Sequence, residues 1–228
     1  MASNLSAIGF DFSDGPAFQQ AMLGLAAHGI ERLDCAAGCY SIWRSRTGAE
    51  IWFHLGVFGH EDDARDIAGL TPWYEGESEI AVEITERLKR PDDNAFEGAL
   101  EAVLLEGEGR ATGGRLTFHA VDFAAHAGRT LPWRCTVRLV GFARYVRASV
   151  SPAAVGPGRD GMMVTGRVTA HRRLVNEATG AAFDWLLVDS GGAGLDIVAE
   201  PAGIEGEIAI GTTVEVGCVL FGRVLEAP

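Results

Sequence analysis

Ser151-Pro-Ala-Ala-Val-Gly-Pro-Gly-Arg-Asp-Gly161 is the stretch on which a reading of this chain turns. It packs two prolines and three glycines into eleven residues, which is the chemistry of a connection rather than of a helix or strand interior. On the C-terminal side the sequence becomes strand-like throughout. Met162 to Val175 is a long strand, Asn176-Glu-Ala-Thr-Gly180 a hairpin loop, Ala182 to Asp189 the return, and Leu195 to Ala199 and Thr212 to Val224 complete the set. Gly166, Gly217 and Gly222 fall inside these strands, and interior glycines permit the bends that closing a small sheet requires. Residues 162–228 are therefore expected to form a small, OB-like β-barrel.

On the N-terminal side one segment reads as a helix, Ser13 to His28. Ser13 or Asp14 supplies a cap, Pro16 sits in the first turn, and Phe18, Met22, Leu25 and Ala26 recur at helical spacing before Gly29. A hairpin follows, Tyr40 to Ser45 and Ile51 to Leu55 around Arg46-Thr-Gly48. Gly59 to Gly76 reads as a loop. Ile80 to Thr85, Ala99 to Leu105, Arg115 to Val121 and Trp133 to Val146 read as strands. The expected fold is α+β: residues 1–150 as an antiparallel sheet with one main helix, 151–161 as a linker, and 162–228 as the barrel. No repeat of 20–50 residues is visible, which disfavours solenoids and propellers.

The phrases Gly48-Ala-Glu-Ile-Trp52, Gly69-Leu-Thr-Pro72, Arg90-Pro-Asp-Asp93 with Phe96-Glu-Gly98, Val164-Thr-Gly-Arg-Val168 and Gly194-Leu-Asp-Ile-Val-Ala-Glu-Pro201 together resemble a family of bacterial proteins with an N-terminal α+β part and a C-terminal small β-barrel. That resemblance implies the two-part layout and no activity, cofactor or catalytic residue.

The chain has 228 residues and a formal net charge of −12. Such a balance argues against wholesale binding of nucleic acid or of an anionic membrane, both of which need positive charge. Lys89 is the only lysine; the arginine bias fits a GC-rich bacterial genome. The N-terminus MASNLSAIGFDFSDG shows neither the basic nor the apolar region of a signal peptide, and no run of about twenty apolar residues occurs. A cytoplasmic protein with reduced cysteines (Cys35, Cys39, Cys135, Cys218) is expected.

Candidate chemistry is sparse. His54 and His60 precede Glu61, Asp62 and Asp63; His119, Asp122 and His126 form H-x2-D-x3-H; His28 precedes Cys35 and Cys39. None has a recognised metal-ligand spacing, and no metal or cofactor is expected. There is no G-x-S-x-G elbow, and the glycine-rich pieces Gly109–Gly114 and Gly191–Gly194 join strands instead of opening a helix that would meet a phosphate. No catalytic residue emerges.

The acidic stretch Glu75 to Glu108 stands out, with Glu75, Glu77, Glu79, Glu83, Glu86, Asp92, Asp93, Glu97, Glu101, Glu106 and Glu108 opposed only by Arg87, Lys89 and Arg90. It reads either as a solvated face or as a steering surface for a basic partner. Trp73 and Tyr74 lie beside it in a proline-bearing segment. The candidate partner surface is therefore Trp73, Tyr74, Glu75, Glu77, Glu79, Asp92, Asp93 and Glu97. Three functions remain open: a non-enzymatic binding or interaction module, with a basic protein partner or self-association; an enzyme acting on a small molecule in a cleft between the halves; and single-strand nucleic-acid binding by the barrel through Arg167, His171, Arg172 and Arg173.

Overall fold

A computed structural model describes residues 4–12, 14–57, 65–106, 110–149, 154–158 and 161–225. Strands dominate it. The helix α1 spans Gly15–Ala27, with Pro16 in its first turn and Met22 as its only buried residue. Strands β1 (Glu31–Cys35), β2 (Gly38–Arg44), β3 (Ala49–Val57) and β4 (Arg65–Tyr74) form a four-stranded antiparallel sheet in that order. The hairpin is in place as β2 and β3. The segment expected to be a loop, Gly59 to Gly76, instead contributes β4. Pro72 sits opposite Ile51 in this strand, which is tolerated because β4 is an edge and the missing N–H faces no partner.

The remaining strands are β5 (Ile80–Leu88), β6 (Ala99–Glu106), β7 (Arg110–Ala120), β8 (Trp133–Ala148), β9 (Ala154–Gly158), β10 (Gly161–Val175), β11 (Ala182–Ser190), β12 (Ala193–Ala199), β13 (Ile204–Glu205) and β14 (Thr213–Leu225). They form one ten-stranded mixed sheet. The expected α+β fold with a self-contained OB-like barrel over 162–228 is thereby overturned. The reason lies in β8, which runs parallel to β12 and antiparallel along the whole of β14. Residues expected to complete an N-terminal sheet are drawn into pairing with strands beyond residue 161. Part of the stretch read as a linker is itself a strand, β9, paired with β10.

The ladders close on themselves twice. One ring runs β5–β6–β7–β14–β8 and back to β5. The other runs β10–β11–β12–β8–β14 and back to β10. Both contain a single parallel contact, β7 with β14 in the first and β12 with β8 in the second. The two rings thus have the same strand order and exchange their final strands. Matching strands carry matching sequence: Ala99-Leu-Glu-Ala-Val-Leu-Leu-Glu106 against Ala182-Phe-Asp-Trp-Leu-Leu-Val-Asp189, Leu116-Thr-Phe-His-Ala120 against Leu195-Asp-Ile-Val-Ala199, and Val140-Gly-Phe-Ala-Arg144 against Val219-Leu-Phe-Gly-Arg223.

A continuous apolar core fills both rings. It includes Val82, Ile84, Leu100, Phe118 and Leu139 from the first and Val164, Val188, Leu195, Ile197 and Val216 from the second. Where β8 and β14 cross between the rings, side chains must be absent. A Cβ on Gly222 would lie 2.2 Å from the Phe118 ring, and one on Gly141 2.6 Å from Ile197.

The four-stranded sheet closes over the outside of the rings through a second core that includes Tyr40, Ile42, Trp52, Trp73, Phe142, Phe183, Trp185 and Phe221. Tyr40 fixes this contact with its hydroxyl, which donates to the Phe96 carbonyl (3.1 Å) and accepts from Ala124 N–H (3.0 Å). A second anchor is the buried Asp196. Its Oδ2 accepts from the N–H groups of Glu77 and Ser78 and from the Ser78 hydroxyl (2.6 Å), and its Oδ1 from the Trp185 indole (2.7 Å). A carboxylate so supplied with donors is stable out of water.

Strand exchange makes a prediction. With a protease site inserted between Val150 and Ser151 and cut in the folded protein, the two pieces should co-elute under native size-exclusion chromatography and part only in denaturant. Separation under native conditions would contradict the shared sheet.

Candidate functional site

The structure places the eight residues of the acidic surface as follows. Trp73 is fully buried and Tyr74 nearly so, because β4 turns both into the core, where Tyr74 meets Phe183 edge-on. Glu75 accepts from Arg138, from Arg223 (3.3 Å) and from the Trp73 indole (3.3 Å). Glu77 pairs with Arg172 (2.9 Å) and Glu79 with Arg138 (2.6 Å). Asp93 accepts the Arg90 backbone N–H, and Glu97 that of Asn94. Asp92 is exposed on the same turn. Glu75 and Glu79 meet at Arg138, while Asp92, Asp93 and Glu97 share the turn between β5 and β6.

The histidines disperse. His54 is completely buried, stacked on Phe96 at 5.1 Å and within 3.1 Å of the Thr71 hydroxyl. Burial pushes its pKa down to about 4. His60, Glu61, Asp62 and Asp63 lie outside the described residues. The H-x2-D-x3-H set splits: His126 Nε2–H donates to Asp122 (3.0 Å), which also accepts Val224 N–H, whereas His119 turns away to the Phe221 ring (5.4 Å). His28 Nδ1–H donates to the Gly24 carbonyl at the helix end. Among the described residues no three metal-ligating side chains converge. Burial raises the Cys135 and Cys218 thiols to about 11 and about 12, so both stay protonated and weakly nucleophilic.

His119 leads to the arrangement with the most chemical capacity. A cleft of about 420 Å³ opens where the ends of β5 and β7 meet the start of β10 and the middle of β14. Leu88, Phe118, Met162, Val219 and Leu220 form its apolar lining; Lys89, Arg90, Asp93, Thr117 and His119 supply the polar groups. Lys89, Arg90 and Thr117 are exposed, whereas His119 is half-buried. Burial and then the Arg90 charge hold the His119 pKa below its ordinary value, with Asp93 pulling the other way. Among the described residues, neither the Lys89 ammonium nor the Arg90 guanidinium is ion-paired to a carboxylate. This is the volume and the mixture of an apolar wall with a few polar groups that small-molecule sites show. Sequence reasoning counted Lys89 and Arg90 only as charges opposing the acidic stretch. The available signal was the chain's single lysine next to an arginine at a strand end.

A second hollow of about 760 Å³ lies between α1 and Phe10, Phe12 and Trp43. Its lining is mainly apolar, and Asp11, Gln20 and His28 are among its few polar groups.

Two titrations test these environments. The unfolded chain protonates His54 near 6.5 and the folded chain only near 4. Stability contributed by neutral His54 is therefore complete above the first value and lost as pH falls toward the second, by about 3 kcal/mol. Denaturant unfolding of His54→Gln should be weaker at pH 7 but flatter across this window. In the cleft, Arg90→Gln should raise and Asp93→Asn should lower the His119 midpoint followed by NMR. Comparison of the chain with protein-family models, curated proteins and solved structures gives no match.

Proposed function

We propose that the protein is a non-enzymatic binding module that takes a small molecule in the Lys89–Arg90–His119 cleft. The observation that carries this reading is the convergence of Lys89, Arg90, Thr117 and His119 over an apolar wall drawn from separate strands. The histidine–carboxylate contacts elsewhere have structural duties. Asp122 ties His126 to the backbone of β14, and Asp184 holds both His171 (2.8 Å) and Arg173 (2.9 Å) across β10 and β11.

Three of the four basic residues of β10 that suggested nucleic-acid contact are engaged in the same way: His171 and Arg173 pair with Asp184, and Arg172 stacks on Trp185 and pairs with Glu77, while Arg167 is exposed. Of the carboxylates that suggested a basic protein partner, Glu75, Glu77 and Glu79 are answered by Arg138, Arg223 and Arg172 from the chain itself. No helix among the described residues is long and apolar enough to cross a membrane. No disulfide joins Cys35, Cys39, Cys135 and Cys218, which supports a reducing, cytoplasmic location.

The reading is checked by titrating a library of small organic fragments into ¹⁵N-labelled protein. Shift changes should gather on Lys89, Thr117, His119 and Met162. Changes gathered instead around Phe10, Phe12 and Trp43, or none at all, would reject this cleft as the binding site.

A further inference from the structure

Resting on that reading, we propose that the cleft selects a small organic monoanion with an apolar body, of which an aliphatic carboxylate is the simplest form. Two neighbouring positive charges are left over at the cleft. Most described arginines that reach the surface are paired within the chain: Arg44, Arg115, Arg134, Arg138, Arg147, Arg172, Arg173 and Arg223 each meet a carboxylate. Arg46, Arg110, Arg129 and Arg167 are exposed singly, whereas Lys89 and Arg90 are adjacent, exposed and, among the described residues, without such a partner at the rim of the cleft.

Their one acidic neighbour in the cleft, Asp93, already spends an oxygen on the Arg90 backbone N–H (2.7 Å). Two cations against one carboxylate leave a single positive charge to complement. His119 adds none near neutral pH, because burial and Arg90 both favour its neutral form. A chain whose net charge is −12 repels anions at long range, so an anion resident here is held by local charge and hydrogen bonding, with the Thr117 hydroxyl as a further donor.

The wall decides the rest of the ligand. Leu88, Met162 and Val219, the partly exposed apolar side chains of the lining, offer nothing to a hydrated inorganic ion. They do remove an alkyl or aryl body from water, at roughly 25 cal/mol per Å² of apolar surface covered. Head and body are thus recognised by different residues, and the two contributions separate experimentally.

The test uses the full chain, observed by NMR and calorimetry, with sodium octanoate, its neutral amide octanamide, acetate and inorganic phosphate as probes. Octanoate should shift Thr117, His119 and Met162 and bind about fivefold more tightly than octanamide, and Lys89→Gln and Arg90→Gln should each remove most of that difference while leaving octanamide unchanged. Both positions are exposed, so neither substitution threatens folding. Equal binding of octanoate and octanamide at the cleft would overturn the anion preference and leave the binding-module reading standing. Acetate or phosphate binding as tightly as octanoate would overturn the requirement for an apolar body. Octanoate and octanamide both leaving the cleft residues unshifted would overturn the ligand class, and the fragment titration would then decide the fate of the cleft itself.

Discussion

The long antiparallel pair of β8 and β14 is the constraint on which the molecule depends. A strand edge must be hydrogen-bonded or protected. These two strands have more edge than one small ring can use, so each lends one portion to the first ring and another to the second. Everything else is fitted to that crossing. Gly141 and Gly222 clear the space in which Ile197 and Phe118 pack, and the outward faces of the same strands supply Phe142 and Phe221 as part of the platform for the four-stranded sheet. The cleft exists because the start of β10, which belongs to one ring, is brought against the end of β5 and β7, which belong to the other.

Charge plays a more local part than the total of −12 suggests. Much of the stretch from Glu75 to Glu79 fastens one sheet to the other, with Glu75 gripped by Arg138 and Arg223 while the latter lies 5.2 Å over Trp52. Exposed members of this set are worth at most about 1 kcal/mol each. Buried members weigh more, since Glu50, fully enclosed with Arg44 and the Trp52 indole, would be costly to strand without them.

Local patterns in the sequence were readable wherever strand or helix chemistry decided the outcome. The helix before Gly29, the hairpin around Gly48 and the alternation of Ile80, Val82 and Ile84 all appear where their residues place them. Period two assigns faces to a strand but names no partner, so nothing in Trp133–Ala148 announced that it would pair with residues 213–225. β4 was hidden by Gly69 and Pro72, which mark loops except at a sheet edge. Trp73 and Tyr74, grouped in the sequence with a candidate partner surface, lie on that same strand and are buried. In the site, Lys89, Arg90 and His119 were each noticed, but Thr117, Met162 and Leu220 become their neighbours only through the ring topology.

The exchange of strands also sets an order in time. Residues 80–148 hold four of the five strands of the first ring, and the fifth is the segment 213–225. As the chain leaves the ribosome, β7 and β8 must wait with unpaired edges while more than half of the second ring is synthesised. Contacts of such sequence separation slow folding and leave apolar edges open to other chains. A protein built this way has reason to lean on chaperones early and, once β14 docks, to gain the closure of both rings in one step.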